Sequence, residues 1–276
     1  MNVAVRHILR KMRVELTDPV TYWLRLGDQE IQLNDYLGQS LRLEFTGHIF
    51  CVQCGRSTKK SFQQGHCFPC MRRINECDNC VLHPERCHVE EGTCPQDDWA
   101  HTQCYQRHVV YLANSTGLKV GITRHNHIPS RWIDQGAGCA LPIFNVKNRR
   151  QAGRVEVAFK KYVNDKTNWR AMLKNEVTAI DLSAERERLM TAVTTELAIV
   201  VDDYADGVIE YLPTAQSVTI NYPVVHYPSK ITALNFEKTP VISGQLHGIK
   251  GQYLIFDCGV LNIRKFSGYE VNAQFS

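Results

Sequence analysis

The sequence predicts an α+β protein made of three kinds of unit. These are a zinc-ribbon-like cysteine cluster, a three-stranded antiparallel sheet with flanking helices, and a β-rich part formed by the N- and C-terminal segments. Three observations carry this. Nine of the eleven cysteines fall between Cys51 and Cys104. From Val109 onward, two short apolar runs joined by a tight turn give way to helical periodicity. Before residue 50 and after residue 213, apolar and polar residues alternate in strand fashion, with glycines between the runs. The expected divisions are an N-terminal β segment (1–50), a zinc-binding Cys/His module (51–108), a central domain (109–176), a long packing helix (177–212) and a small C-terminal β domain (213–276).

With 276 residues, 43% of them hydrophobic, the chain can bury a sizeable core. A net charge of +4 and a pI near 8.4 permit an anionic partner but fall short of a histone-like excess. No apolar run approaches a membrane span, and the start, MNVAVRHILRKMRVEL, lacks the apolar core and cleavage site of a secretory signal. The expectation is a cytoplasmic protein with no membrane partner and an oligomeric state the sequence leaves open. In such a chain clustered cysteines point to metal, not to disulfides.

Taken in order, Tyr22–Leu26, Ile31–Leu33 and Leu41–Phe45 alternate as strands, with turns at Gly27 and Gly38. The basic run Arg6, Arg10, Lys11, Arg13 fits a solvated charged face, with phosphate contact as the alternative. Cys51-Val52-Gln53-Cys54 and Cys67-Phe68-Pro69-Cys70 follow. Each Cys-x-x-Cys turn aims two thiolates at one ion, and two such turns make the closed Cys₄ shell of structural zinc. A second shell is expected from Cys77 and Cys80, completed by Cys94 and Cys104, with Cys87, His88 and His108 as alternates. Interleaved pairing stays open. Zinc is favoured over an iron–sulfur cluster because nothing nearby suggests electron transfer.

Val109–Ala113 and Leu118–Ile122 form a hairpin around Asn114–Gly117, and a helix follows Pro129 with Arg131 on its first turn. Leu141–Val146 supplies a third strand. Gln151–Val163 supplies a helix, with Glu156 beside its apolar stripe. Charge around that helix is one-sided. Lys147, Arg149, Arg150 and Arg154, with Trp132 as a flat aromatic surface, are what a phosphate-tracking, base-stacking groove needs, so DNA or RNA is the expected partner. Asp181–Asp206 then fits one long helix capped by Ser183 and ended by Gly207. Val218–Ile220, Val241–Ser243, Gln252–Phe256 and Val260–Ile263 complete a small sheet or barrel.

The central segment resembles a GIY-YIG nuclease domain over roughly residues 108–175. Val109-Val110-Tyr111 matches the family's first tripeptide, Lys119-Val120-Gly121 its second, and Arg131 its helical arginine. Lys119 stands where active nucleases have a second tyrosine. The resemblance implies a divalent-metal-dependent endonuclease. Tyr111 would take a proton from the attacking water, Arg131 would counter transition-state charge and Lys119 would contact phosphate. Glu156 would hold Mg²⁺ or Mn²⁺. A catalytically inactive, zinc-stabilised nucleic-acid-binding module is the alternative. Over its whole length the chain is similar to a bacterial family of unknown function that joins such a cysteine cluster to a GIY-YIG-like centre. CVQCG, CFPC, CDNC, VYLANSTGLKVGITR and RWIDQGA carry that similarity.

Overall fold

The computed structural model describes residues 7–74, 79–94, 97–163, 168–205 and 207–276. Strands β1 (Leu9–Glu15), β2 (Thr21–Leu26) and β3 (Gln29–Gln32) form an antiparallel sheet in that order. The stretch expected to be a solvated basic face is thus a strand. Leu9 and Met12, three residues apart, are both buried because the β1–β2 register shifts between Arg10 and Arg13, while Arg10 is exposed and Lys11 part-exposed. β4 (Ser40–Phe50) runs straight into the first cysteine turn, and β5 (Ser57–Thr58) returns along its end. The cysteine module continues through the short helices α1 (Phe68–Met71), α2 (Asn79–Leu82) and α3 (Asp97–Gln103).

The central unit comprises β6 (His108–Asn114), β7 (Leu118–Arg124), α4 (Ser130–Asp134), β8 (Cys139–Val146) and α5 (Arg149–Lys160). Asn148 caps α5 through a reciprocal pair of hydrogen bonds with Gln151. Beyond it come α6 (Trp169–Leu173), α7 (Leu182–Ala192), α8 (Thr194–Asp202), β9 (Ile209–Tyr211) and β10 (Val218–Thr219). The chain ends with β11 (Val241–Lys250), β12 (Tyr253–Phe256), β13 (Gly259–Asn262) and β14 (Tyr269–Phe275).

Two expectations need correcting here. The central sheet has five strands, not three, because β9 and β10 both pair with the outer edge of β8, an edge that would otherwise be left unpaired. The long helix is two, broken at Val193 (ψ 6°), and Asp181, not Ser183, is the cap, accepting from the backbone of Ser183 and Ala184. The β-rich part does unite both ends of the chain. β4 sits between β11 and β14 in the order β13-β12-β11-β4-β14.

β6 is buried along its whole length, and its alternation divides two cores. Val109, Tyr111 and Ala113 join the N- and C-terminal sheets and α4. Val110 and Leu112 join α5, α7 and α8. The terminal β parts and the central unit therefore share one core and hold each other in place. Among the described residues no helix is long and apolar enough to cross a membrane.

Candidate active cleft and cysteine site

β7 is an edge strand, and residues 119–124 along it line a cleft of about 760 Å³. Other units wall this edge. Arg10, Lys11 and Arg25 come from the N-terminal sheet, Gln64 and His66 from the cysteine module, and Arg264 from the C-terminal sheet. The lining carries nine lysines and arginines and a single carboxylate, Glu156. Such a cleft concentrates anions, because low-dielectric walls focus the field of one sign of charge.

Tyr111, Lys119, Arg131 and Glu156 all line this cleft. The β6–β7 register sets Tyr111 opposite Gly121, and a Cβ at Gly121 would lie 2.8 Å from the phenol oxygen, so the ring lies over a residue with no side chain. The Tyr111 hydroxyl and the Lys119 ammonium both donate to Gln135 Oε1, at 3.0 and 2.8 Å. One amide oxygen thus sets the separation of phenol and amine. Burial pushes the Tyr111 pKa up, and the Arg131 guanidinium beside it works in the opposite direction. Burial, helped by Arg131, brings Lys119 down to about 8. Glu156 pairs with Lys160 at 3.1 Å; burial raises its pKa and Lys160 opposes the rise.

The expected nucleic-acid contacts divide. Arg149 lines the cleft and donates to the Val81 carbonyl at 2.7 Å, and Lys147 is exposed. Arg150 and Arg154 are corrected. Arg150 pairs with Glu90 and Glu91 of the cysteine module, and Arg154 with Asp203 and the Tyr204 ring, so both tie α5 to its neighbours. Trp132 is corrected too. Only 2% exposed and edge-on to Tyr111, it is core and offers no face to a base. Sequence reading missed Gln135 and Arg264, and took Arg10 for a solvated residue. An amide one turn past Arg131 was the only local hint of the first. Nothing local marks Arg264, whose place depends on the C-terminal sheet meeting the cleft.

The first cysteine set is assembled as expected. The sulfurs of Cys51, Cys54, Cys67 and Cys70 lie within 4.8 Å of one another and could hold a metal ion such as zinc. The backbone N–H of Cys67 donates to Cys51 Sγ at 3.2 Å. The backbone N–H of Arg56 brings the Cys54 thiol down to about 6, favouring the thiolate that binds metal.

The second set differs. Cys77 lies outside the described residues. Buried Cys87 and Cys104 are hydrogen-bonded thiol to thiol, and Cys80 lies near enough to raise the Cys104 pKa. Cys94 packs at the edge of this group beside Trp99. Cys87, expected only as an alternate, is thus in direct contact with Cys104, and Cys94 packs against the same group. His88 is directed to Glu91 at 3.4 Å, and His108 donates to the Gln106 carbonyl at 2.7 Å and lines the cleft, so neither alternate joins the sulfurs.

No curated protein and no solved structure matches the chain. A family-level match does exist and covers most of the length. It extends over residues 38–271, from the start of β4 into β14, and so takes in the cysteine module and the whole cleft edge of β7. The chain belongs to the family described as Protein of unknown function (DUF2797).

Proposed function

We propose that the cleft binds a nucleic-acid phosphate and is the active site of a GIY-YIG-type, divalent-metal-dependent endonuclease braced by structural zinc. One observation carries the reading. Tyr111, Lys119, Arg131 and Glu156, far apart in sequence, line a single cleft whose other charges are almost all cationic. Arg131 would bind the scissile phosphate and offset charge as it builds, the task a planar, permanent cation suits. Tyr111, its phenol beside Arg131 and held by Gln135, would first release its own proton to solvent, a loss that Arg131 favours, and as phenolate would then take the proton of the attacking water. Lys119, held by the same Gln135 oxygen, would contact a second phosphate oxygen. Glu156 offers one oxygen donor set, which fits a hard cation that takes its remaining ligands from phosphate and water. A divalent ion held there would supply charge for the leaving oxygen.

The Cys51–Cys54–Cys67–Cys70 shell is closed and fits structural zinc. The second shell is proposed, as from the sequence, on Cys77, Cys80, Cys94 and Cys104, with Cys87, bonded to Cys104, as the alternate. The Lys160–Glu156 ion pair favours a second reading, in which the cleft binds nucleic acid without cutting it. Purified protein incubated with single-stranded, duplex and branched substrates plus Mg²⁺ or Mn²⁺ separates the two. Metal-dependent cleavage that disappears in Glu156→Gln supports the enzyme. Cleavage that survives the substitution refutes this site, and Arg131-dependent binding without cleavage supports the second reading.

A further inference from the structure

The cleft continues past its own walls. Gln64 and Arg264, which line it, also line a neighbouring cavity of about 490 Å³ whose other lining includes Lys60, Lys265 and Asn262. Glu237 is the acid there, and its Oε1 already accepts from the Tyr269 hydroxyl at 2.8 Å. At the junction the Arg264 guanidinium is half-buried and forms no hydrogen bond or ion pair among the described residues. Burial draws its pKa down, the cost of desolvating a cation, and Asp134 offsets that only in part. Lys60 and Lys265 are exposed and make no ion pair among the described residues.

Aromatic rings accompany these charges. On the cysteine module Phe62 and Phe68 pack with centroids 5.6 Å apart, and Phe68 remains 49% exposed. Lys60 lies over the Phe62 ring at 5.4 Å and Arg72 over the Phe68 ring at 5.8 Å. Exposed rings among cations are what stack successive bases while phosphates are followed by charge. The spaces themselves are small. Volumes of this order hold a drug-sized molecule, about one or two nucleotides each. The N-terminal sheet, the cysteine module and the C-terminal sheet contribute their lining, and spaces that seat about one or two nucleotides suit a single strand better than a duplex with two backbones.

We infer that one single strand of nucleic acid occupies both cavities in turn, its reacting phosphate at Arg131 and its tail on Arg264, Lys60 and Lys265. This rests on the cleft reading above and adds the substrate class and the path. Because Arg264 lines both spaces, it is the hinge of that path.

The test uses the zinc-loaded 276-residue chain carrying Glu156→Gln, so that binding is read without turnover. Fluorescence anisotropy compares thymidine and uridine homopolymers of about 20 nucleotides, the corresponding tetranucleotides, and a duplex of the longer length. The long single strand is expected to bind at least about tenfold tighter than the duplex. Lys60→Ala/Lys265→Ala is expected to cut the ratio of long-strand to tetranucleotide affinity about tenfold. It should also lower the salt slope by roughly 1.4, two contacts at about 0.7 each. A duplex that binds as well as the strand, or a ratio untouched by the double variant, overturns the path. If the tetranucleotide still binds in an Arg131-dependent way, only the path has failed. If no strand binds and Arg131→Ala changes nothing, path and cleft reading fall together. The thymidine and uridine arms decide between DNA and RNA.

Discussion

At the scale of single residues, the cleft depends on contacts that a small change disturbs. Gly121→Ala would drive a methyl into the Tyr111 ring, and the buried phenol has no room to retreat. A loss of about 1–3 kcal/mol is expected from such overpacking, read as a lower urea midpoint. Gln135→Leu would leave the Tyr111 hydroxyl and the Lys119 ammonium without their shared acceptor, so a loss of similar size is expected, about 1–3 kcal/mol. Lysine titration gives a signed test. Lys119 and Lys250 sit at about 8 in the fold against 10.5 for an ordinary lysine, burial being the first cause in both. Below the folded value both states carry the proton, and the cost of burying charge is present in full. Between about 8 and 10.5 the unfolded chain binds more protons, so stability rises with pH across that window. Lys119→Met should raise the urea midpoint at neutral pH and flatten the rise toward pH 10, leaving the share of Lys250. An unchanged slope would mean that Lys119 is not held below its ordinary value. Tyr111, Arg131 and Glu156 were picked out in advance by the resemblance of the hairpin and its following helices to a nuclease domain. Gln135 was not, since its role appears only when α4 folds back on the β6–β7 pair.

At the scale of elements, the junction between α5 and the cysteine module is the tightest contact near the cleft. Gly153 lies in the middle of α5, where alanine normally stabilises a helix by about 0.5–1 kcal/mol. Here a Cβ would fall inside van der Waals contact of the backbone at Pro84 and Glu85, atoms that cannot rotate away. Gly153→Ala is therefore expected to destabilise, by about 1–3 kcal/mol in thermal or urea unfolding, and a stabilised variant would contradict this packing. The same junction explains the misassigned arginines. Arg150 and Arg154 are basic residues on a helix, and nothing in the sequence says that Glu90, Glu91 and Asp203 will meet them. Strand and helix positions were largely readable from periodicity, down to β8 and α5. What periodicity could not supply was partnership across the chain. β9 and β10 are too short to announce a sheet, and Val193 breaks the α7–α8 helix without a proline or glycine to mark it. β1 was hidden because Arg10, Lys11 and Arg13 read as a charged face and a register shift breaks the alternation that would have marked Leu9 and Met12 as inward.

At the scale of the whole molecule, the cysteine module couples folding to the cleft. β4 is an interior strand of the C-terminal sheet, between β11 and β14, and its last residue is followed directly by Cys51. Val52, Gln64 and His66 of the same module line the cleft. A metal held by the four sulfurs thus fixes one wall of the cleft against the sheet that carries Arg264. Closed cysteine shells contribute folding energy directly, about 10–16 kcal/mol of binding in zinc-finger peptides, so stripping the metal should do more than loosen a loop. Treatment with a zinc chelator, or Cys67→Ser, is expected to lower the melting temperature by several degrees or more. It should also weaken binding of a single-stranded oligonucleotide, although no cysteine touches the nucleic acid in the proposed path. The central sheet, with its core of Val110, Leu112, Val155 and Phe159, should survive as residual secondary structure by circular dichroism. The coupling makes the two losses inseparable. Restoring zinc should recover melting temperature and affinity in the same proportion across a titration. If affinity stays intact while the metal is removed and the module unfolds, the module is no wall of the site, and the cleft must be completed by the N- and C-terminal sheets alone.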